Sequence, residues 1–288
     1  MKTLRLAPSV ILLVAVSVGS VSAQQKIKLG DNAALRYWSA FAEMQDSAVT
    51  DEQAKELNQI VAGTSPYDDL KFKELVEKNK AALETMARGS TLRKCDWGAE
   101  YDLGPDTPVE YVRKALTLGR LNILYAFHLS ITGDKDGAVR ALVAGLRFSK
   151  DVANGGTLFA TLVADGLIVE HLEAVAFIQH VEGLSAEQRS TLKNAILQLG
   201  PEGLDWQSAI RLEFGVLPTS NPKVSAAREQ SKTKYLTALE SPSTLPSLQQ
   251  MIADAPQPLP GMIPNPERVL AAKKELADKL QQTRSMLQ

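Results

Sequence analysis

The sequence predicts an all-α protein built of stacked antiparallel helical hairpins, an irregular α-solenoid or bundle with a Pro-rich C-terminal segment and a terminal helix. Apolar residues recur at helical spacing through most of the chain, and no segment alternates as a strand would. Residues 107–182 form the centre, because they contain three consecutive apolar helices. Thr107, Asp134 and Thr157 stand where the N-caps of these helices are expected.

Two short connectors separate the three central helices. Residues 132–134 read Thr-Gly-Asp and residues 154–156 read Asn-Gly-Gly, and both Asn and Gly tolerate the left-handed conformation that ends a helix. Gly119, Gly145 and Gly166 lie inside the helices, where each costs up to about 1 kcal/mol of helix propensity. We therefore expect close backbone approaches at these three glycines.

Shorter helices are predicted before the centre. One spans residues 31–47, a second begins at Thr50 or Asp51, and a third spans residues 67–88. Residues 93–106 contain glycine and proline without helical periodicity, so they are predicted to be irregular.

Helices also follow the centre. Ser185 and Gln188 have the spacing of a capping box, in which each side chain bonds the backbone N–H of the other residue. Two further helices are predicted over residues 205–216 and 224–239, with a Pro-containing linker between them.

Proline dominates residues 241–266, which hold seven of the 14 prolines in the chain. Each proline removes a backbone donor and clashes with the preceding turn, so this segment is predicted to be an extended or disordered linker around one short helix at 245–252. A last helix over residues 267–288 has only a thin apolar stripe. The predicted organisation is a helical domain at 24–240 followed by a linker and a separate terminal helix, and we expect truncation after Glu240 to leave the domain folded.

The first 23 residues have the pattern of a secretory signal peptide. Lys2 and Arg5 form a basic start, residues 10–18 are almost wholly apolar, and small residues lead to a cleavage site after Ala23. The apolar run is shorter than the roughly 20 residues that span a membrane. The sequence therefore predicts an exported protein, periplasmic or extracellular after cleavage, with no membrane span.

Charge and cysteine content exclude several function classes. The chain has 32 Lys and Arg against 33 Asp and Glu; loss of Lys2 and Arg5 with the signal peptide leaves 30 against 33, a net charge of −3. Nucleic-acid binding is not expected, because its electrostatic footprint is basic. Cys95 is the single cysteine, so no internal disulfide can form.

His128, Asp165 and His171 are polar residues on apolar helical stripes. They could form an acid–base or metal site inside the bundle, or they could be buried groups that satisfy each other by hydrogen bonds. Asp165 and His171 are six residues apart, about 120° around a helix, and therefore do not converge. The buried interpretation is favoured, and no cofactor or metal is expected.

Cys95-Asp96-Trp97-Gly98 is the most distinctive local string. It could provide a redox thiol or a ligand-facing loop, with Trp38, Cys95 and Trp97 as the contact residues. The alternative is that Trp97 packs into the bundle beside Trp38 and that Cys95 is a small buried apolar residue. No second cysteine and no adjacent basic cluster lowers the pKa of the thiol, so packing is favoured.

Residues 126–146 resemble one tetratricopeptide (TPR) unit. The matching positions, at the spacing of that family, are Ala126, Leu129, Gly133, Asp134, Ala138, Leu142 and Gly145. Asn122 stands where the family favours a large aromatic residue, and no second copy is visible. The resemblance implies one TPR-like hairpin, because arrays need at least about three units.

A longer set of matches resembles a group of uncharacterised exported bacterial all-helical proteins with a TPR-like hairpin. It covers about residues 32–199. The matching strings are Asn32-Ala-Ala with Tyr37-Trp38, Cys95-Asp96-Trp97-Gly98, Gly133-Asp134 with Gly137-Ala138, and Gly156-Thr157-Leu158. The resemblance implies an all-helical fold and export, and it assigns no activity.

The favoured function is that of an exported, non-catalytic helical module that binds a protein or peptide through a groove of its hairpin stack. One alternative is an exported enzyme with a site near His128, Asp165 and His171. Another is a structural component of the cell envelope, in which the last helix is a docking element. A concave apolar groove would favour the binding module. An open polar cleft around the three polar residues would favour the enzyme. A last helix that does not pack on the rest of the protein would favour the envelope component.

Overall fold

The computed structural model describes residues 29–45, 50–217 and 221–288. The predicted signal peptide lies outside these ranges. Within them the regular elements are helices without any strand, and one isolated bridge joins Asn32 to Lys94; the all-α prediction is confirmed. The α-helices are α1 (Ala33–Glu43), α2 (Asp51–Val61), α3 (Asp69–Lys78), α4 (Lys80–Gly89), α5 (Tyr111–Ile131), α6 (Lys135–Ala153), α7 (Leu158–Val181), α8 (Ala186–Leu199), α9 (Trp206–Val216), α10 (Pro222–Glu240), α11 (Leu245–Ala253), α12 (Leu259–Met262) and α13 (Pro266–Met286).

The three predicted central helices are present as α5, α6 and α7. Asp134 caps α6 by accepting a hydrogen bond from Gly137 N at 2.8 Å, as its position predicts. Thr107 does not cap α5, which begins four residues later at Tyr111. Its hydroxyl donates instead to the Gly104 carbonyl at 2.7 Å, so Thr107 closes the preceding loop rather than starting the helix.

Glycines let the central helices approach closely at two of the three expected positions. A Cβ on Gly119 would lie 2.6 Å from a Leu167 methyl, and a Cβ on Gly145 would lie 2.1 Å from His171 Nε2. Both distances are impossible for a larger residue without rearrangement. A Cβ on Gly166 would have no neighbouring atom within 4 Å, so the expected close backbone approach is absent at Gly166.

The helix predicted over residues 67–88 is two helices, α3 and α4, which meet at Asn79. Asn79 is fully buried, and its side chain accepts a hydrogen bond from Gln45 N at 3.0 Å while donating to the Leu75 carbonyl at 2.8 Å. An asparagine that bonds the backbone competes with helix continuation. The break therefore follows from a buried polar side chain that also holds the chain end after α1.

The short helix predicted at 245–252 is present as α11, but the rest of the Pro-rich segment is not extended, contrary to the prediction. A 3₁₀ helix (Pro242–Thr244) leads into α11, and α12 follows. Proline is tolerated here because it occupies first-turn positions, where the missing N–H has no helical acceptor. Leu248 and Leu259 are fully buried, so the segment packs as part of the protein.

Helix α13 also packs on the rest of the protein. It buries Leu276 and Leu280 completely, and Lys279 forms an ion pair with Glu173 of α7 at 3.2 Å. Val269 is nearly fully buried as well, and together with Leu276 it widens the apolar face beyond the stripe read from the sequence, which already contained Leu280 and Leu287. The buried core is therefore continuous from α1 to the residues that follow α13.

Candidate functional site

His171 lies fully buried between the three central helices. Its Nδ1 is 2.7 Å from the Leu167 carbonyl, and its Nε2 is 3.2 Å from the Asn122 side-chain amide. A carbonyl can only accept, so Nδ1 carries the proton and Nε2 accepts from Asn122. Burial lowers the pKa of His171 to about 4, which keeps the ring neutral near pH 7.

His128 lies on α5 and faces α3 instead. Its Nδ1 is 2.7 Å from Asp69 Oδ1, and the Tyr67 hydroxyl donates to the same carboxylate oxygen at 3.2 Å. Burial, followed by the charge of Asp69, raises the pKa of Tyr67 above its ordinary value. His128 therefore belongs to a hydrogen-bonded cluster that fixes α3 against α5.

Asp165 is the third polar residue predicted on an apolar stripe. It lies on α7, and its Oδ1 is buried without a hydrogen-bond partner among the described residues. Burial and, to a lesser extent, Glu275 of α13 raise the pKa of Asp165 to about 7. No hydrogen bond or ion pair in the described residues connects Asp165 with His128 or His171, so the structure does not assemble the three into one site.

The Cys95 string forms an aromatic cluster with α1 and α5. Trp97 is nearly buried and stacks on Tyr111 with ring centroids 4.2 Å apart, and it also stacks on Tyr37 at 5.7 Å. Trp38 lies at the edge, with 38% of its surface exposed and its ring 6.3 Å from that of Trp97. Aromatic packing of this kind fixes the loop against the helices.

Cys95 is a buried thiol beneath this cluster. Burial, followed by the nearby Asp151 and Asp96 carboxylates, raises the pKa of Cys95 well above its ordinary value. Since the thiolate is the reactive form, this environment opposes redox chemistry. The burial of Cys95 and the stacking of Trp97 agree with the interpretation that residues 95–98 pack into the bundle.

Asp151, near the end of α6, was missed in the sequence. Its carboxylate accepts a hydrogen bond from Tyr37 at 2.6 Å, and its backbone carbonyl accepts one from Trp97 Nε1 at 2.7 Å. Burial raises the pKa of Asp151 to about 6, although the Tyr37 hydrogen bond opposes this rise. The available signal was an acid in the last turn of a helix, where the helix dipole disfavours negative charge.

A polar cleft of about 630 Å³ adjoins Asp151. Arg93, Lys150 and Tyr101 contribute polar side chains, and the cleft continues to the start of α9. The Tyr101 hydroxyl donates to the Gly155 carbonyl and so connects the irregular loop to the end of α6. Opposite charges from Asp151 and Asp205 balance the two cations, so the cleft has no strong charge preference.

A second cavity, of about 400 Å³, is apolar and lies between α5, α7 and the loop after α2. Tyr67, Phe127 and Phe177 form its aromatic wall, with the ring of Phe127 5.3 Å from that of Tyr67 and 5.0 Å from that of Phe177. Ile131 and Val181 also line it and remain 47% and 55% exposed. We call this cavity the α5–α7 pocket.

The residues that the structure describes contain no group of three or more His, Cys, Asp and Glu side chains arranged to hold a metal ion. None of their helices has the length and hydropathy needed to cross a bilayer.

Comparison of the chain with protein-family models, with curated proteins and with solved structures found no match in any of the three.

Proposed function

We propose that the protein is a non-catalytic helical module that binds a protein or peptide partner by taking an apolar side chain into the α5–α7 pocket. The observation that carries the proposal is the pocket itself. It is concave, aromatic-lined and open, with a volume in the range of about 300–1,000 Å³ that is typical of binding sites.

The rim favours a partner larger than the pocket. Ile131 and Val181 extend the apolar lining into solvent, where contiguous exposed apolar surface commonly marks an interaction site. A partner segment that places one side chain among the aromatic rings would cover both rim residues. The TPR-like resemblance of the α5–α6 hairpin also supports protein binding.

The alternatives have less support. An enzyme site near His128, Asp165 and His171 would require these groups to act on one substrate, yet each has a different set of neighbours. An envelope component with a free docking helix would leave α13 unpacked, but α13 buries Leu276 and Leu280 completely.

To test the proposal, peptides that bind the intact protein are first selected from a random display library. The Kd of each selected peptide is then measured by fluorescence titration. Ile131→Glu should weaken the Kd of selected peptides at least tenfold, about 1.4 kcal/mol, because it places a charge at the rim. Leu197→Glu is the matched control, since Leu197 is 51% exposed but lies on α8 outside the pocket. Equal Kd values for the two variants would disprove binding at the pocket.

Export is a separate part of the proposal. We infer that the chain is secreted and cleaved after Ala23, because the small residues that precede this position follow a basic start and an apolar run. Intact-mass measurement on protein collected outside the cytoplasm of a Gram-negative host should give a chain that begins at Gln24. A chain retaining its first 23 residues would contradict cleavage.

A further inference from the structure

Ser130 lies on α5 and lines the α5–α7 pocket. Only 2% of its surface is exposed, and its Oγ is buried without a hydrogen-bond partner among the described residues. Ile131 and Val181 border the same pocket and are 47% and 55% exposed. Ser130 therefore lies deeper in the pocket than these two rim residues.

Other buried hydroxyl groups in the helices bond the backbone carbonyl four residues earlier. Ser149 Oγ donates to Gly145 O at 2.8 Å, and Thr283 Oγ1 donates to Lys279 O at 2.9 Å. Ser130 makes no such bond to the described part of the chain. Its hydroxyl therefore keeps both a donor and an acceptor for a group that enters the pocket.

A buried hydroxyl without a partner is unfavourable, because it has lost its hydrogen bonds to water. A side chain that brings a hydrogen-bonding group to Ser130 removes this penalty when it binds, whereas a purely apolar side chain leaves it in place. The hydroxyl of Ser130 turns about a single bond between three staggered positions, so no backbone movement is needed to redirect its hydrogen bond.

Three other polar side chains of the pocket have partners within the protein. They are Thr64, which donates to the Gln59 carbonyl at 3.0 Å, Tyr67, which donates to Asp69 at 3.2 Å, and Glu182, which pairs with Lys135 at 3.9 Å. Among the described residues, Ser130 is therefore the polar side chain of the pocket that is both buried and without a partner.

The wall of the pocket fits an aromatic ring. The rings of Tyr67 and Phe177 lie 5.3 Å and 5.0 Å from that of Phe127, tilted by 52° and 60°. Aromatic rings prefer such tilted or edge-to-face contacts at centroid distances of about 4.5–7 Å, and a further ring continues the same arrangement. A tyrosine supplies a ring together with a hydroxyl that both donates and accepts, whereas phenylalanine has no polar group and tryptophan only donates.

We propose, in a step that rests on the function proposed above, that the partner side chain in the α5–α7 pocket is a tyrosine, whose ring packs on the aromatic wall and whose hydroxyl pairs with Ser130. The ring is buried among aromatic side chains, and the hydroxyl supplies the partner that Ser130 lacks among the described residues. The partner is thus a protein or peptide segment with an exposed tyrosine.

Library-selected peptides whose binding is weakened by Ile131→Glu provide the probe. Each tyrosine of such a peptide is replaced in turn by phenylalanine. The Kd of both versions is then measured by fluorescence titration on the intact wild-type protein and on Ser130→Ala. The phenylalanine version should bind the wild type about fivefold more weakly, which corresponds to the loss of one hydrogen bond. On Ser130→Ala the two versions should bind alike, because the peptide hydroxyl has lost its partner.

Ser231→Ala is the matched control. Ser231 is also fully buried, and its Oγ has no partner among the described residues, but it lies on α10 outside the pocket. The fivefold ratio should therefore remain in this variant. Ser130→Ala breaks no hydrogen bond of its side chain within the described residues and adds a good helix former, so it should fold like the wild type.

The outcomes separate the tyrosine from the pocket. Selected peptides without tyrosine, equal Kd values for the two versions on the wild type, or an undiminished fivefold ratio on Ser130→Ala would overturn the tyrosine anchor and leave binding at the pocket intact. Peptides whose Kd does not respond to Ile131→Glu would disprove the proposed function, and the tyrosine anchor with it.

Discussion

Asp151 connects parts of the chain that are far apart in sequence, because it accepts hydrogen bonds through both its side chain and its backbone. Tyr37 of α1 bonds the carboxylate, while Trp97 of the irregular loop bonds the backbone carbonyl. The carboxylate is the form that the Tyr37 hydroxyl stabilises. The strength of this connection should therefore depend on the protonation of Asp151.

Tyr37→Phe should destabilise the protein more at pH 8 than at pH 5. The pKa of Asp151 is raised to about 6 in the folded protein, so its contribution to stability falls as the pH rises from about 3.9 to 6. Loss of the hydrogen bond raises this pKa further and extends the fall to higher pH. The expected cost is about 1.5–3 kcal/mol at pH 8 and less at pH 5.

Urea unfolding of the wild type and of Tyr37→Phe at both pH values measures this difference. Tyr125→Phe is the control, because the same hydroxyl is removed from a half-buried tyrosine for which the described residues provide no hydrogen bond. A cost for Tyr37→Phe that is equal at pH 5 and pH 8 would show that Asp151 ionisation is not involved.

Gly145→Ala should destabilise the protein, because the new methyl group would meet the His171 ring and the Asn122 amide within 2.4 Å. Overpacking of this kind costs about 1–3 kcal/mol. Gly166→Ala should be neutral or stabilising by up to about 1 kcal/mol, since its position is open and alanine favours a helix. Thermal unfolding compares the two, and an unchanged Tm for Gly145→Ala would contradict the packing of α6 against His171 of α7.

At the scale of single residues, the sequence predicted which polar residues lie within apolar stripes, but not which groups they bond. The six-residue separation of Asp165 and His171 predicted that they would not converge, and no hydrogen bond joins them among the described residues. The partners of His171 could not be predicted, because Asn122, Gly145 and Ser149 come from other helices. Asp151 was missed for the same reason, since Tyr37 is 114 residues away.

At the scale of elements, local signals predicted several helix starts, although Thr107 closes a loop instead of capping α5. The capping box at Ser185 forms as expected, and Asp205 caps α9 by accepting from Ser208 N at 2.9 Å. These signals succeed because donor and acceptor are a few residues apart. The break at Asn79 was missed because its cause, a bond to Gln45, is not local.

The C-terminal segment shows the limit of a compositional argument. Seven prolines predicted an extended chain around one short helix, which is α11, but prolines at first-turn positions are also compatible with the 3₁₀ helix Pro242–Thr244 and with α12. The apolar stripe of α13 looked thin because Val269, Leu276 and Thr283 were not counted with it. These residues become an interior face only when α7 and α8 are in place.

Truncation after Glu240 should lower the Tm by more than about 5 °C, on the order of 1 kcal/mol or more. This reverses the expectation from the sequence, because the removed residues include the fully buried Leu248, Leu259, Leu276 and Leu280. Differential scanning fluorimetry measures the change, with Lys274→Gln as a control at an exposed position of α13. An unchanged Tm would show that the segment contributes nothing to the stability of the core.

At the scale of the whole molecule, one apolar core holds the N-terminal helices, the central helices and the C-terminal segment together. The two cavities lie on different parts of this core. One is polar and adjoins Asp151, whereas the α5–α7 pocket is aromatic and bordered by exposed apolar residues. This contrast is why we propose partner binding at the α5–α7 pocket.

Methyl NMR of the intact protein during titration with a library-selected peptide tests binding at the α5–α7 pocket most directly. If the peptide binds at the α5–α7 pocket, the methyl signals of Ile131, Ile178 and Val181, which line it, should shift with a common Kd. The methyl signals of Leu204 and Leu212, in the polar cleft, should stay in place. Shifts at the polar cleft with unmoved signals at the pocket would contradict binding at the α5–α7 pocket.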